Sequence, residues 1–277
     1  MLYFAIEISV KEFMGACFMN YKVVILDIDG TILPHGKTLS HATKDAIQRL
    51  KEKQTKVVIA TGRAPYFTES IIQETGVDSM VFFNGSFAFH EGKEIYKSSI
   101  DKQVLERVHQ LSNDLQHPLT YLGDTSFKVT HLEHPFVVEA YQHDPWKPEL
   151  APPQFWKDQD IYQIFLHCDL EEELSYQSKV PELDFRRWSS GARTCDVNLS
   201  NSNKAVGLSK LLEKLGIAPD EAVAFGDGLN DMEMLSLVGM GVAMGNARDE
   251  LKAMANMVTL SAEEDGVRYG LERLGLI

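Results

Sequence analysis

The chain has 277 residues, of which 44% are apolar and 24% are charged, a composition typical of folded globular proteins rather than disordered ones. Its net charge of −13, with no local cluster of Lys and Arg, excludes the basic face by which proteins bind nucleic acid. No apolar run approaches the ~18 residues that cross a membrane. Three scattered cysteines, Cys17, Cys168 and Cys195, form neither a disulfide framework nor a zinc site, which favours the cytoplasm. We expect one or two domains, no nucleic-acid or membrane partner, and a monomer or weak homodimer.

Residues 1–20 carry no recognisable motif and form a predicted N-terminal extension. The segment is a poor match to a signal peptide, because Glu7 interrupts its apolar stretch and no basic segment precedes it. Met19 stands two residues before the first predicted strand. Our hypothesis is that translation begins at Met19.

The predicted elements of residues 21–85 alternate between strand and helix. The run Val23–Leu26 has no polar alternation, which is typical of a strand covered on both faces of a parallel sheet. Ser40 can cap the first helix, and Pro65 can open the second, at the position where its missing N–H costs nothing. The predicted order is a strand at 21–26, a helix after Ser40, a strand at 56–60, a helix from Pro65 to Gly76 and a strand at 80–83.

The pattern changes at residue 86. The next elements are a hairpin at 86–99, an amphipathic helix at 101–116, short proline-broken strands at 119–156, a strand at 161–167, a helix at 170–179 and a strand at 184–188. This order is typical of an α+β arrangement rather than repeated βαβ units. Because ~100 residues are domain-sized and too long for a loop, we expect residues 86–190 to form an inserted second domain.

The alternation of strands and helices resumes after residue 190. The predicted elements are strands at 194–199, 222–225 and 241–243, with helices at 204–215, through Leu237, from Ala247 and at 265–274. The fold class that follows is α/β. We expect a Rossmann-like, doubly wound parallel sheet built from residues 21–85 and 191–277, with the α+β insertion between them.

Two carboxylates, Asp27 and Asp29, follow the first strand directly, within the sequence Asp-Ile-Asp-Gly-Thr. The carboxyl ends of strands face the functional crevice of an open α/β sheet, and alternation places both side chains on one side. Acids this close repel each other, so either one holds a proton or a cation lies between them. On its own the motif is equally compatible with a solvated turn.

A second acidic pair, Asp227 and Asp231, follows the predicted strand at 222–225. Four carboxylates in one crevice require a hard cation, and oxygen ligands suit Mg²⁺, which also engages substrate phosphate. Mg²⁺, Lys204 and the backbone amides after Asp27 would together reverse the local charge and admit an anion. The predicted cofactor is therefore Mg²⁺, and a phosphate is an anion that such a site could hold.

Four motifs in this order resemble those of the haloacid dehalogenase superfamily, and within it the Cof-type phosphatases with a large inserted α/β (type IIB) cap. The resemblance extends from about Tyr21 to the C-terminus. The motifs are Asp27-x-Asp29-Gly30-Thr31, Thr61-Gly62-Arg63, Lys204, and Gly226-Asp227-x-x-Asn230-Asp231.

The resemblance implies a small phosphomonoester as the substrate and partner, and a role for each matched residue. Asp27 would be the nucleophile that forms an aspartyl-phosphate, and Asp29 would be the general acid and base. The residues expected to bind the substrate phosphate are Thr61, Gly62, Lys204 and Asn230. Those expected at the metal are Asp27, Asp29 (through its main-chain carbonyl), Asp227 and Asp231.

Several alternatives remain open from the sequence. A phosphomutase would pass the phosphoryl group from Asp27 to a sugar, although Asp29 favours hydrolysis. A non-enzymatic phosphate-binding regulatory module would keep the same fold. Arg63 either belongs to the second motif or pairs with a surface acid. The aromatic residues that either stack on a substrate or belong to the core are Tyr141, Trp146, Trp156 and Tyr162.

Overall fold

The computed structural model describes residues 21–277 except 35, 37, 143–144 and 189–190. The predicted extension at residues 1–20, and with it the hypothesis about Met19, lies outside the described residues. Two sheets with helices against them make up the fold. Within the described ranges, no helix combines the length and apolar character needed to cross a bilayer.

The elements are numbered here in chain order. The strands are β1 (Val23–Leu26), β2 (Lys56–Ala60), β3 (Ser79–Phe82), β4 (Phe87–His90), β5 (Lys93–Lys97), β6 (Leu119–Leu122), β7 (Phe127–Val129), β8 (Glu149–Leu150), β9 (Gln163–His167), β10 (Leu183–Arg187), β11 (Thr194–Leu199), β12 (Ala222–Gly226), β13 (Met240–Ala243) and β14 (Met257–Val258). The α-helices are α1 (His41–Glu52), α2 (Glu69–Thr75), α3 (Lys102–Leu115), α4 (Pro135–Tyr141), α5 (Phe155–Asp158), α6 (Leu170–Lys179), α7 (Lys204–Leu215), α8 (Met232–Leu237), α9 (Asp249–Met254) and α10 (Gly266–Arg273).

The first sheet has the strand order β14-β13-β12-β1-β2-β3-β4-β5. Its strands from β14 to β3 are parallel, and β4 and β5 are antiparallel additions at one edge. The chain moves outward from β1 through β2 and β3, and later returns to the other side of β1 as β12. This reversal makes a topological switch point beside β1, where ligands bind in such sheets. The predicted Rossmann-like, doubly wound core is confirmed.

The centre of this sheet is fully buried. Every residue of Val23–Leu26 has 0% exposure, and Ile25 lies between Ala224 on β12 and Val58 on β2. The uninterrupted apolar run of β1 therefore exists because helices cover both faces. The helix after Ser40 begins as expected, since the Ser40 hydroxyl accepts from the N–H of Thr43 at 3.0 Å.

The second sheet has the order β10-β11-β9-β6-β7-β8 and is antiparallel except for the pair β7 and β8. One face packs against an apolar cluster that includes Leu105 on α3 and Tyr176 on α6. The other face contributes Leu122, Val129 and Phe165 to the hydrophobic cluster of the first sheet. The inserted α+β unit thus lies directly against the parallel sheet.

The sheets divide the chain at different residues from the predicted boundaries 85/86 and 190/191. The hairpin β4–β5 belongs to the first sheet, where Phe87 pairs with Phe82 on β3. Strand β11 belongs to the second sheet, where it pairs with β9 and β10. Alternating apolar and polar residues predict an antiparallel strand but do not specify its sheet, so the domain boundaries at 85/86 and 190/191 stay a prediction.

The predicted helix from Pro65 to Gly76 is two elements. A 3₁₀ turn occupies Pro65–Phe67, and α2 begins at Glu69. Between them Thr68 has φ −119°, and its hydroxyl donates to the carbonyl of Pro65 at 2.7 Å. This hydrogen bond from the Thr68 side chain interrupts the α-helix, so the segment Pro65–Phe67 forms a separate 3₁₀ turn beside the loop of residues 61–63.

Candidate active site

The loop after β1 places Asp27 at the switch point. The Asp27 side chain is buried, and its backbone N–H donates to the Phe225 carbonyl of β12 at 3.1 Å. Gly30 has φ +82°, and a Cβ at this position would lie 2.1 Å from Oδ2 of Asp227. Only glycine therefore allows the loop after β1 to approach the loop after β12 this closely.

Three carboxylates meet between these two loops. Asp27, Asp227 and Asp231 each offer an oxygen, and these oxygens all lie within 4.8 Å of one another. Clustered carboxylate oxygens are the ligands that Mg²⁺ prefers, so the donor set fits the predicted cofactor. The sequence-based expectation that the two acidic pairs converge is met for three of the four carboxylates.

Lys204 enters this cluster from the start of α7. The Asn203 side chain caps the helix, and the Lys204 side chain is fully buried. Its Nζ donates to Oδ1 of Asp27 and to Oδ1 of Asp231, at 2.6 Å in each case. A lysine in the first turn opposes the helix dipole, so its contacts with the two carboxylates account for its position.

The cluster carries more carboxylates than cations. Burial, followed by repulsion from Asp231, raises the pKa of Asp27 well above its ordinary value, and Lys204 offsets this only in part. Burial alone would lower the pKa of Lys204, but attraction to Asp231 and Asp27 exceeds it and raises that pKa. Excess negative charge thus contributes to the rise of both pKa values, and a divalent cation would relieve it.

The carboxylate of Asp231 also organises the backbone of its own loop. Its Oδ2 accepts from the N–H groups of Asp227 and Gly228, both at 3.0 Å, while Oδ1 is bound to Lys204. The Asp227 carboxylate accepts from the Thr31 hydroxyl at Oδ1, 3.3 Å away, and from the Asn246 amide at Oδ2, 3.2 Å away.

Asp29 lies outside the group of three clustered carboxylates. Its side chain is 49% exposed, and both of its oxygens are bound by Arg63, from Nε at 2.9 Å and from a terminal nitrogen at 2.5 Å. The other terminal nitrogen of Arg63 donates to the Phe67 carbonyl at 3.2 Å. No backbone N–H within the described ranges donates to the Asp29 carbonyl, so that oxygen is available as a ligand.

Besides Lys204 on α7, the predicted phosphate-binding residues lie on the loops after β2 and β12. The Thr61 hydroxyl oxygen accepts from the N–H of Arg63 at 3.1 Å. Nδ2 of Asn230 donates to Oδ1 of Asn84 at 3.0 Å, and a Cβ on Gly62 would lie 3.0 Å from the Asn84 amide. Asn84 has φ +50° and connects the two loops, a role that the sequence alone did not reveal.

A cavity of about 860 Å³ lies between the two sheets above the carboxylates. Its lower wall contains Asp27, Asp29, Gly62, Arg63, Asn84, Asp227 and Asn230. Its upper wall contains Tyr141, Trp146, Gln163, Phe165, Arg186, Trp188 and Asp196. Of the four aromatic candidates, Tyr141 and Trp146 thus reach the cavity, whereas Trp156 and Tyr162 are buried in apolar clusters.

Apart from Tyr141 and Trp146, the residues of the upper wall and one link in the lower wall were assigned no role from the sequence. Gln163 is a polar residue in a fully buried strand, which was a usable signal. The strand pattern does not assign Asp196 to a sheet, and nothing in the sequence aligns it with Trp188. Asn246 links the loops after β1 and β12, because its Nδ2 donates to the Gly30 carbonyl at 2.8 Å and to Oδ2 of Asp227 at 3.2 Å.

Comparison with known proteins agrees with this geometry. Residues 24–271 match the family model of haloacid dehalogenase-like hydrolases. YkrA of Bacillus subtilis (strain 168) is 35% identical, over 94% of this chain and 100% of YkrA. The 5-amino-6-(5-phospho-D-ribitylamino)uracil phosphatase YitU of the same organism is 32% identical, over 88% of this chain and 94% of YitU.

A solved structure extends the comparison to the inserted unit. The sugar phosphatase BT4131, of haloacid dehalogenase subclass IIB, superposes with a TM-score of 0.79 at 26% identity, covering 92% of this chain and 100% of BT4131. The predicted resemblance and the predicted enzyme class, a hydrolase of phosphoric monoesters, are confirmed. The chain belongs to the haloacid dehalogenase-like hydrolase family.

Proposed function

We propose that the protein hydrolyses small phosphorylated metabolites, with Mg²⁺, through an aspartyl-phosphate on Asp27. The observation that carries this proposal is the buried contact of Asp27 with Lys204, beside Asp227, at the base of the cavity. A volume of about 860 Å³ lies within the range of small-ligand sites. The Mg²⁺ ligands would be the carboxylates of Asp27 and Asp227 and the Asp29 carbonyl, with Asp231 positioning Lys204 and the loop.

Asp27 is proposed as the nucleophile because Lys204 fixes its orientation. Lys204 binds Oδ1, so we assign Oδ2 as the attacking atom. A bond forms between Oδ2 and phosphorus while the bond from phosphorus to the ester oxygen breaks. Bound Mg²⁺ would supply positive charge to the phosphoryl oxygens during both steps. The Lys204 ammonium would bind the phosphoryl group as well, because phosphoryl transfer depends on positioning and charge neutralisation.

Asp29 is proposed to act as a general acid in the first step and as a general base in the second. It donates a proton to the departing ester oxygen, and then takes a proton from the water that attacks the aspartyl-phosphate. In the present arrangement Arg63 holds the Asp29 carboxylate within the wall of the cavity. Thr61 supports the phosphoryl group, because its hydroxyl oxygen accepts from Arg63 and its hydroxyl proton remains for a phosphoryl oxygen.

Two substrate classes are supported by the relatives. BT4131 is a sugar phosphatase, and YitU acts on a phosphorylated ribitylaminouracil. Both substrate names describe a phosphate on a hydroxylated carbon chain. We therefore propose hydroxylated phosphomonoesters as substrates of this protein, with sugar phosphates first and the ribitylaminouracil phosphate second.

The decisive experiment measures inorganic phosphate released from a panel of phosphomonoesters. We expect release with Mg²⁺ and a loss to background after EDTA, restored by excess Mg²⁺, because three carboxylates and one lysine cannot bind a phosphate without added positive charge. Transfer of the phosphoryl group to a sugar, without release of inorganic phosphate, would indicate a phosphomutase. Binding of phosphate without turnover would indicate the regulatory module.

Asp29→Asn should lower kcat by roughly 10²–10⁴-fold, the usual scale for a positioned general acid and base. The loss should be smaller for an ester with a good leaving group, such as p-nitrophenyl phosphate, since that oxygen needs no proton. Steady-state kinetics on both esters test this assignment. Equal losses on the two esters, with a matching rise in KM, would show that Asp29 is structural.

A further inference from the structure

The upper wall of the cavity is one face of the second sheet. Along β9 the side chains alternate, so that Gln163 and Phe165 line the cavity while Ile164 and Leu166 pack into the apolar cluster behind. The register pairs Phe165 with Asp196 on the neighbouring strand β11. Polar groups from two strands therefore face the carboxylates of the first sheet.

Gln163 is the most unusual residue of this wall. It is 1% exposed, and neither its Oε1 nor its Nε2 has a hydrogen-bond partner among the described residues. Buried amides in folded proteins are nearly always hydrogen-bonded, because an unpaired donor or acceptor keeps its full desolvation penalty. A donor and an acceptor left unpaired at the wall of a cavity point to a ligand that pairs with both.

Asp196 adds a second acceptor beside Gln163. The indole N–H of Trp188 donates to Oδ1 of Asp196 at 2.6 Å, and the Trp188 ring meets Phe165 edge-on at 5.2 Å. The Asp196 carboxylate is thereby fixed in orientation. Burial is the main reason that the pKa of Asp196 rises to about 6, and the hydrogen bond from Trp188 and the charge of Arg186 offset this rise only in part.

We infer that Gln163 determines specificity by binding hydroxyl groups of the leaving group, with Asp196 as a second acceptor. The inference rests on the proposed phosphatase function and deepens it. A hydroxyl both donates and accepts, so it satisfies an amide that offers one donor and one acceptor. An apolar leaving group leaves Gln163 unpaired, so it loses this contribution to binding.

Gln163→Met separates recognition from folding, because methionine has nearly the same shape and no polar atoms to satisfy. We expect kcat/KM for ribitol 5-phosphate to fall by about 10–100-fold, chiefly through KM. For phenyl phosphate, whose leaving group has no further hydroxyl, the change should stay within about 3-fold. The Tm without substrate should rise by roughly 2–4 °C, because an unpaired buried amide has been removed.

Tyr162→Phe is the matched control. Tyr162 is 0% exposed within an apolar cluster, its hydroxyl also has no partner among the described residues, and it is not one of the described residues that line the cavity. This variant should also raise the Tm, yet leave the ratio of kcat/KM for the two esters unchanged. The same change in that ratio as in Gln163→Met would overturn the inference.

Two results with Gln163→Met would also overturn it. One is an equal loss on both esters, which would place Gln163 at the phosphoryl group, and the other is an unchanged kcat/KM for ribitol 5-phosphate. If the wild-type protein releases phosphate from neither ester, the proposed function fails. The role of Gln163 is then tested by measuring how strongly ribitol 5-phosphate binds. Ribitol 5-phosphate should then raise the Tm of the wild type more than that of Gln163→Met, and equal shifts would refute the role of Gln163.

Discussion

Asp27→Asn is expected to release no measurable phosphate from any phosphomonoester, a loss of more than about 10⁴-fold in kcat. The amide nearly matches the carboxylate in shape but cannot attack phosphorus. The other proposed groups remain in place, so substrate should still bind. Phosphate release, and equilibrium binding of substrate in the same buffer, together check this expectation.

The fold of Asp27→Asn should be preserved. The native Asp27 carboxylate is buried beside Asp231, and that environment raises its pKa, so removing the charge relieves repulsion. We expect the Tm without Mg²⁺ to be unchanged or higher. Release of phosphate at the wild-type rate would rule out Asp27 as the nucleophile.

Asp227→Asn provides a control within the same cluster. Its side chain is proposed to bind Mg²⁺ but not phosphorus, so the variant should need more Mg²⁺ and recover part of its activity at high Mg²⁺. Asp27→Asn should not recover at any concentration. Mg²⁺ titrations of the two variants therefore distinguish the nucleophile from a metal ligand.

The parts of the fold that the sequence predicted are those where a local pattern has one structural solution. The apolar run of β1, the Ser40 cap and the helix α7 each depend on neighbours within a few residues. The convergence of Asp27 with Asp227 was also predictable, although 200 positions separate them. Parallel strands end at the same edge of a sheet, so residues that follow them meet there.

The parts that could not be predicted depend on long-range pairing. A hairpin such as β4–β5 satisfies its own hydrogen bonds, and its sequence does not state which sheet edge it extends. Likewise, nothing local to Asp29 indicates that Arg63 binds it in preference to water. The alignment of Asp196 with Phe165 required the register of β11, which only the assembled sheet determines.

Lys204→Met is expected to have the largest effect on stability as well as a loss of activity. Lys204 is fully buried, and its Nζ lies 2.6 Å from oxygens of both Asp27 and Asp231. Removing one partner of a buried ion pair leaves the remaining charges uncompensated and costs about 3–5 kcal/mol. For a protein of this size the Tm without Mg²⁺ should fall by roughly 10 °C.

Lys210→Met is the matched control, on the same helix. Its ammonium lies on the surface, 3.7 Å from Glu213, and the side chain is 52% exposed, so the Tm of Lys210→Met should differ from that of the wild type by less than about 2 °C.

Two changes that reduce the excess negative charge should separate lost charge from lost packing in Lys204→Met. Adding Asp231→Asn removes one of the uncompensated carboxylates, and Mg²⁺ supplies positive charge to the cluster, so each should restore part of the lost Tm without restoring wild-type turnover. If neither Asp231→Asn nor Mg²⁺ raises the Tm of Lys204→Met, the destabilisation comes from lost packing. Lys204 would then not stabilise the fold as the cation of a buried carboxylate cluster.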